Sequence, residues 1–163
     1  MNETMVVGVD GTTDSLAALN AAAERAEQSG ASLVVVHVRH ESAMSAASLE
    51  AAADAAISQT LDEVEKMSRE RAAEALGGRK VHWRFEVFVG DPATELIAAA
   101  RDHQARAIVV GGRSHGLVGG LVLGSVAQKL VRHSPVSVLV VRDGKAHYVD
   151  VSAGTGRAHP GGQ

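Results

Sequence analysis

The amino-acid sequence predicts an α/β protein: a doubly wound, five-stranded parallel sheet of strand order 3-2-1-4-5 with helices on both faces. Three observations lead there. Short valine-rich runs alternate with long alanine-rich segments, the pattern of βαβ units whose strands are covered on both sides. One run, residues 80–90, alternates apolar and polar residues instead, which suits the half-exposed edge that this order assigns to the third strand. A chain of 163 residues without cysteine is long enough to bury one core and has no disulfide framework to lean on.

The elements follow in order. "TMVVGVD" (4–10) reads as the first strand and Thr12 to Gln28 as the first helix, with Asp14 or Thr13 as N-cap and Gly30 as its stop. "SLVVVHV" (32–38) is the second strand. From about Ser45 to Leu76 a long helix is expected, because Leu49, Ala53, Ile57, Leu61, Val64, Ala72 and Leu76 recur at helical spacing. Asp62/Lys66 and Glu65/Arg69 offer i,i+4 ion pairs on its wet side, and Gly77-Gly78 ends it. In the third strand Val81, Trp83, Phe85 and Val87 share one face, with His82, Arg84 and Glu86 on the other. Asp91-Pro92 supplies an N-cap and a proline at the first helical position for "PATELIAAARDH". "ARAIVVG" (105–111) is the fourth strand, "GSVAQKLVRHS" (124–134) a helix and "VSVLVVR" (136–142) the fifth strand. Domain organisation is therefore one domain over 1–142 and a Gly-rich tail over 143–163 with no sustained period, expected to be disordered.

Composition excludes several classes of function. A net charge of -3 without a basic stripe, and only one Trp, one Tyr and two Phe, offer neither a phosphate track nor a stacking platform for nucleic acid. No apolar run is long enough to span a membrane and the N-terminus lacks a signal-peptide pattern, so a cytoplasmic protein is expected. The eight histidines are scattered, and no metal site is expected.

The candidate site lies at the switch point, where strands 1 and 4 are neighbours and ligands bind beyond the carboxyl ends. Asp10 ends the first strand. The fourth opens into a loop with glycines at 111, 112, 116, 119, 120 and 124. Glycine removes side chains where an oxyanion must approach the backbone, and Gly124-Ser125 starts the next helix, whose N–H groups and dipole favour an anion. A flexible connection with Ser125 as a simple cap explains the same residues. Neither GxxxxGK[ST] nor a GxGxxG after the first strand is present, so the common nucleotide fingerprints do not apply. Lys129, Arg132 and His133 fall in the last turns of that helix, where its dipole favours cations.

"VVGVDGTTDSLAALNAAAERA", "VFVGDPATELIAAA" and "IVVGGRSHGLVGGLVLGSVAQKLVRHSPVSVLVV" together resemble the universal stress protein family over roughly residues 4–142. The resemblance implies the same 3-2-1-4-5 sheet, a homodimer, and, in one branch, ATP held by the motif G-2x-G-9x-G-[ST], with Mg²⁺ possible. Aligned on Gly124 and Ser125, that motif places Gly111 at its first position and Ser114 where its second glycine stands. It further implies that Asp10 lies near ribose or phosphates, that the backbone at Val38 meets adenine, and that Val110 and Val126 line the site. The implied function is an ATP-binding regulatory or scaffold module of the stress response, without catalysis and with at most slow hydrolysis. Two alternatives stand beside it: a family member that binds no nucleotide and acts through protein partners, and an adenylating enzyme of a related fold. The fifth strand, short, apolar and at an edge, is expected to pair with a second copy through Val136 to Val141.

Overall fold

A computed structural model describes residues 3–40, 51–112, 123–142 and 145–149. The strands are β1 (Thr4–Val9), β2 (Ser32–His40), β3 (Trp83–Gly90), β4 (Ala107–Gly111), β5 (Ser137–Arg142) and β6 (Lys145–Val149). The helices are α1 (Thr13–Ser29), α2 (Ala51–Leu76), α3 (Pro92–Asp102) and α4 (Ser125–His133). They form one sheet of order β3-β2-β1-β4-β5-β6, parallel except for the β5–β6 pair. The expected order is thus present, extended by one antiparallel strand.

Alternation along each buried strand feeds two cores. Val7, Val9, Leu33, Val35, Val109 and Leu139 point to the face covered by α1 and α2, where Leu19, Ala22, Ala23, Ala72 and Leu76 meet them. Val6, Val34, Val36, Ile108, Val110, Val138 and Val140 point to the other face, covered by Leu96, Ala99 and Ala100 of α3 and Ala127 and Leu130 of α4. Alanine is the commonest buried helical residue in both layers, which lets the helices approach the valine surface closely.

Local chemistry explains the helix ends. The α1 cap is Thr12, not Thr13 or Asp14: its hydroxyl accepts from the Ser15 N–H at 3.2 Å while its backbone stays extended. Gly30 closes α1 at φ 73°, a left-handed position that glycine takes without strain. Asp91 caps α3 as expected, with Pro92 behind it. The start expected for the long helix near Ser45 lies outside the described residues. Its charges pair differently from a simple helical ladder. Arg69 meets Glu65 at 3.7 Å, but Lys66 pairs with Glu70 and Asp62 crosses to Arg39 at the end of β2, 2.7 Å away.

The reading of residues 143–163 as a tail without structure needs correction at Lys145–Val149, which form β6 against β5 in the register Arg142↔Lys145 to Val138↔Val149. A five-residue strand needs little apolar surface when a neighbour already presents unpaired backbone groups, so composition undervalued it. The same strand bears on the expected dimer. Pairing with a second copy through Val136 to Val141 assumed an open edge, and β6 occupies it.

Candidate functional site

At the carboxyl ends of β1, β2 and β4 the two helical layers part and leave a cleft of about 410 Å³, within the range of small-molecule sites. It lies where the chain leaves β1 in one direction and β4 in the other, the switch point of the sheet.

Its floor comes from strand residues whose alternation turns them toward the α3–α4 face: Gly8, Val36, Val38 and Val110. A Cβ at Gly8 would stand 3.1 Å from the Leu96 side chain, so this glycine keeps the floor low beneath α3. Leu96 and Pro92 of α3 and Val126 of α4 form an apolar wall. Opposite it stands the turn after β1, carrying Asp10, Thr12, Asp14 and Ser15.

That turn is tightly organised. Asp10 Oδ1 accepts from the Thr12 N–H at 3.0 Å and from the Thr12 hydroxyl at 2.5 Å, while the Asp10 N–H donates to Ser15 Oγ at 3.2 Å. Ser15 Oγ in turn donates to the Thr12 carbonyl at 3.0 Å. Asp10 therefore holds the turn through one carboxylate oxygen while remaining exposed at the cleft. From behind, α2 clamps the same turn: Arg71 donates to the Gly11 carbonyl, and Met67 and Ser68 crowd Gly11, whose φ of 81° and lack of a side chain both suit the position.

The fourth side is the start of α4. Gly124 is its N-cap and makes no side-chain cap bond, so nothing of its own covers the N–H groups of the first turn. Ser125 is exposed, and among the described residues its hydroxyl has no partner. The simple reading of Ser125 as the cap does not hold, because the cap is one residue earlier. Gly124 is anchored by its own N–H, which donates to the Gly112 carbonyl at 3.0 Å and ties the helix start to the end of β4. Donors, a helix dipole and an apolar wall thus converge on one cleft, an arrangement suited to an anion attached to a flat apolar group.

Asp10, Val38, Val110, Gly111, Gly124, Ser125 and Val126 all line this cleft. Ser114 lies outside the described residues. Thr12, Asp14, Ser15, Pro92 and Leu96 also line it and were not anticipated. For Thr12, Asp14 and Ser15 the run Asp10-Gly11-Thr12 was the available signal, since Asp two residues before a capping Thr favours a side-chain-closed turn. Gly111 has a reason of its own: a Cβ there would lie 2.9 Å from the Asp14 backbone. Lys129 has a partner other than the helix dipole, the Asp91 carboxylate 2.7 Å away, and this contact with the Thr94 bonds lowers the Asp91 pKa to about 2. Among the described residues no three His, Asp or Glu gather as a metal site, and no described helix is long and apolar enough to cross a membrane.

Fold and cleft together define an open, doubly wound α/β protein with a cleft at the switch point of its sheet. The universal stress protein family profile matches residues 1–142, and the chain belongs to that family. It is 34% identical over 147 residues to a universal stress protein of Thermus aquaticus, covering 87% of this chain and all of the relative. Among solved structures, the universal stress protein UspA of Lactobacillus plantarum superposes with a TM-score of 0.71 at 24% identity, covering 86% of this chain and 97% of that one. A universal stress protein solved in complex with cAMP is 26% identical, with a TM-score of 0.61 and coverage of 86% and 97%.

Proposed function

We propose that the cleft binds an adenine nucleotide, with ATP the first candidate and Mg²⁺ at its phosphates, and that the protein serves as a cytoplasmic regulatory or scaffold module in the stress response. One observation carries this reading: the α4 N-terminus opens onto the cleft through Gly124, with a Ser125 hydroxyl beside its N–H groups that has no partner among the described residues. Phosphate seated there would satisfy the first-turn N–H groups, which have no side-chain cap, and the Ser125 hydroxyl, which has no partner among the described residues. Val38, Val110, Val126 and Leu96 supply an apolar bed for the base, and Asp10 and Thr12 stand on the opposite rim for the ribose. The relative solved with cAMP supports an adenine nucleotide as the ligand class.

Turnover is not part of the proposal. Asp10 spends Oδ1 on the Thr12 N–H and hydroxyl, a role that orders the turn and suits a general base poorly. A bound nucleotide would act here as a signal read by other proteins.

Freshly purified protein, denatured and analysed by mass spectrometry, should release an adenine nucleotide. Calorimetry with ATP, AMP and cAMP, with and without Mg²⁺, then ranks the ligands. Folded protein that binds none of them at millimolar concentration would sink the proposal and favour the family branch that works through protein contacts alone.

A further inference from the structure

β3 stands at the opposite edge of the sheet from β6, and its backbone shows which groups are left over there. Leu33 lies opposite Trp83 and donates its N–H to the His82 carbonyl at 2.9 Å. In a parallel ladder each residue bonds to the two positions flanking its opposite number, so the backbone groups of His82, Arg84, Glu86 and Phe88 face β2. Those of Trp83, Phe85, Val87 and Val89 point outward, and among the described residues no strand takes them up. This edge runs for eight residues without proline. At the other end β6 has five residues and begins with an exposed lysine, the better protected edge of the two.

The side chains of β3 are complementary to themselves when the strand is reversed about Phe85. Trp83 and Phe85 pack toward the α1–α2 layer. Arg84 and Glu86 stand on the other face beside His103 at the end of α3, and the Arg84 side chain is still 59% exposed after meeting both. With a two-fold axis at Phe85, Phe85 meets Phe85, Trp83 meets Val87, and Arg84 meets Glu86 on each side of the axis. The outward backbone groups then fall at the hydrogen-bonded positions, and Arg84 and Glu86 at the positions where opposed side chains stand closest. Moving the axis to Arg84 would set Arg84 against Arg84, and moving it to Glu86 would set Glu86 against Glu86. One register joins opposite charges and its neighbours oppose like ones. We propose that β3 is a self-pairing edge: a second copy of this chain docks on it antiparallel, in the register centred on Phe85, and joins the two sheets through β3. A second copy is the occupant that fits, because the reversed strand supplies the opposite charge at both positions. The inference does not depend on the nucleotide site or on what β5 and β6 do.

Cysteine substitution and charge exchange test it in the full chain, which has no cysteine of its own. Phe85→Cys should form a disulfide between chains under mild oxidation, since residues opposed in a hydrogen-bonded pair have Cα atoms about 5.5 Å apart. Trp83→Cys should not, because its counterpart is Val87. In sedimentation over a micromolar concentration range, Arg84→Glu and Glu86→Arg should each weaken self-association by about ten-fold or more. An equimolar mixture of these two variants should recover it, because each then meets the other's opposite charges, and variants that had merely lost their fold would not recover on mixing. Equal crosslinking at positions 83 and 85 overturns the proposal, as does association that neither charge variant changes. A mixture that stays as weakly associated as its components overturns it too.

Discussion

Gly111 illustrates how one residue can satisfy two accounts. It sits at the first position of the motif that the family resemblance aligns here and at the cleft, yet its nearest constraint is the Asp14 backbone, 2.9 Å from where a Cβ would be. Gly111→Ala should therefore destabilise the protein by about 1–3 kcal/mol through overpacking, nucleotide or none, a loss visible in the thermal unfolding of ligand-free protein. Ser125 is the opposite case. Exposed and without a partner among the described residues, it contributes little to the fold, so Ser125→Ala should leave ligand-free stability within about 0.5 kcal/mol of the parent. The same change should weaken nucleotide binding by about 0.5–1.5 kcal/mol in calorimetry. Asp91 adds a pH dependence. Its pKa of about 2 lies below the unfolded carboxyl range because Lys129, then the Thr94 N–H and hydroxyl, stabilise the charged form. A depressed folded pKa contributes stability at neutral pH that is lost as pH falls from about 4 to about 2. With the side chain over a third exposed, solvent screening limits the ion-pair part to about 1 kcal/mol. Asp91→Asn keeps an N-cap but removes the charge, so its stability should fall less steeply than the parent's over that acid range in denaturant titrations.

At the scale of elements, α2 does more than cover the sheet. Arg71 reaches across to the Gly11 carbonyl, Met67 and Ser68 pack over the same glycine, and Arg39 binds Asp62 and Glu65 of this helix from the end of β2. The helix thereby braces two sides of the cleft, the Asp10 turn and the end of β2. Arg71→Met keeps the apolar stem and removes the donor. It should cost about 1 kcal/mol, raise amide exchange at Thr12 and Ser15, and leave circular dichroism unchanged. Exchange confined to the helix itself would show that Arg71 does not hold the turn. Among the described residues Ser68 Oγ is the one buried polar side-chain atom without a hydrogen-bond partner.

For the whole molecule, the cleft joins parts that the core leaves separate. α3 and α4 lie on one face of the sheet and the Asp10 turn leads into α1 on the other, so a ligand touching both would link the layers. A nucleotide at about 100 times its Kd should stabilise the fold by about 2.7 kcal/mol and raise Tm by about 5–10 °C for a domain of this size. No rise with ATP, AMP or cAMP would count against the site.

Fold class and the individual elements were legible in the sequence because they rest on local rules, whereas strand order was favoured only by the half-exposed third strand and Val38, Val110 and Val126 were reached through the family resemblance. Buried strands read as valine runs, β3 shows its edge position by alternation, and Asp91-Pro92 and Gly30 mark helix ends. Glycine spacing pointed to Gly111, Gly124 and Ser125 before any coordinates placed them together. Other features depended on partners distant in sequence. Arg71 on Gly11 spans 60 residues and Lys129 on Asp91 spans 38, and no local pattern encodes either contact. β6 lies between these cases. Asp143-Gly144 followed by "KAHYV" is a hairpin signal, yet five polar-leaning residues form a strand only where β5 offers unpaired backbone groups. Local propensity and periodicity thus determined the elements and the switch-point site. Long-range packing alone decided which side chains brace that site and that a sixth strand covers β5, because both depend on surfaces that exist only after the chain has folded.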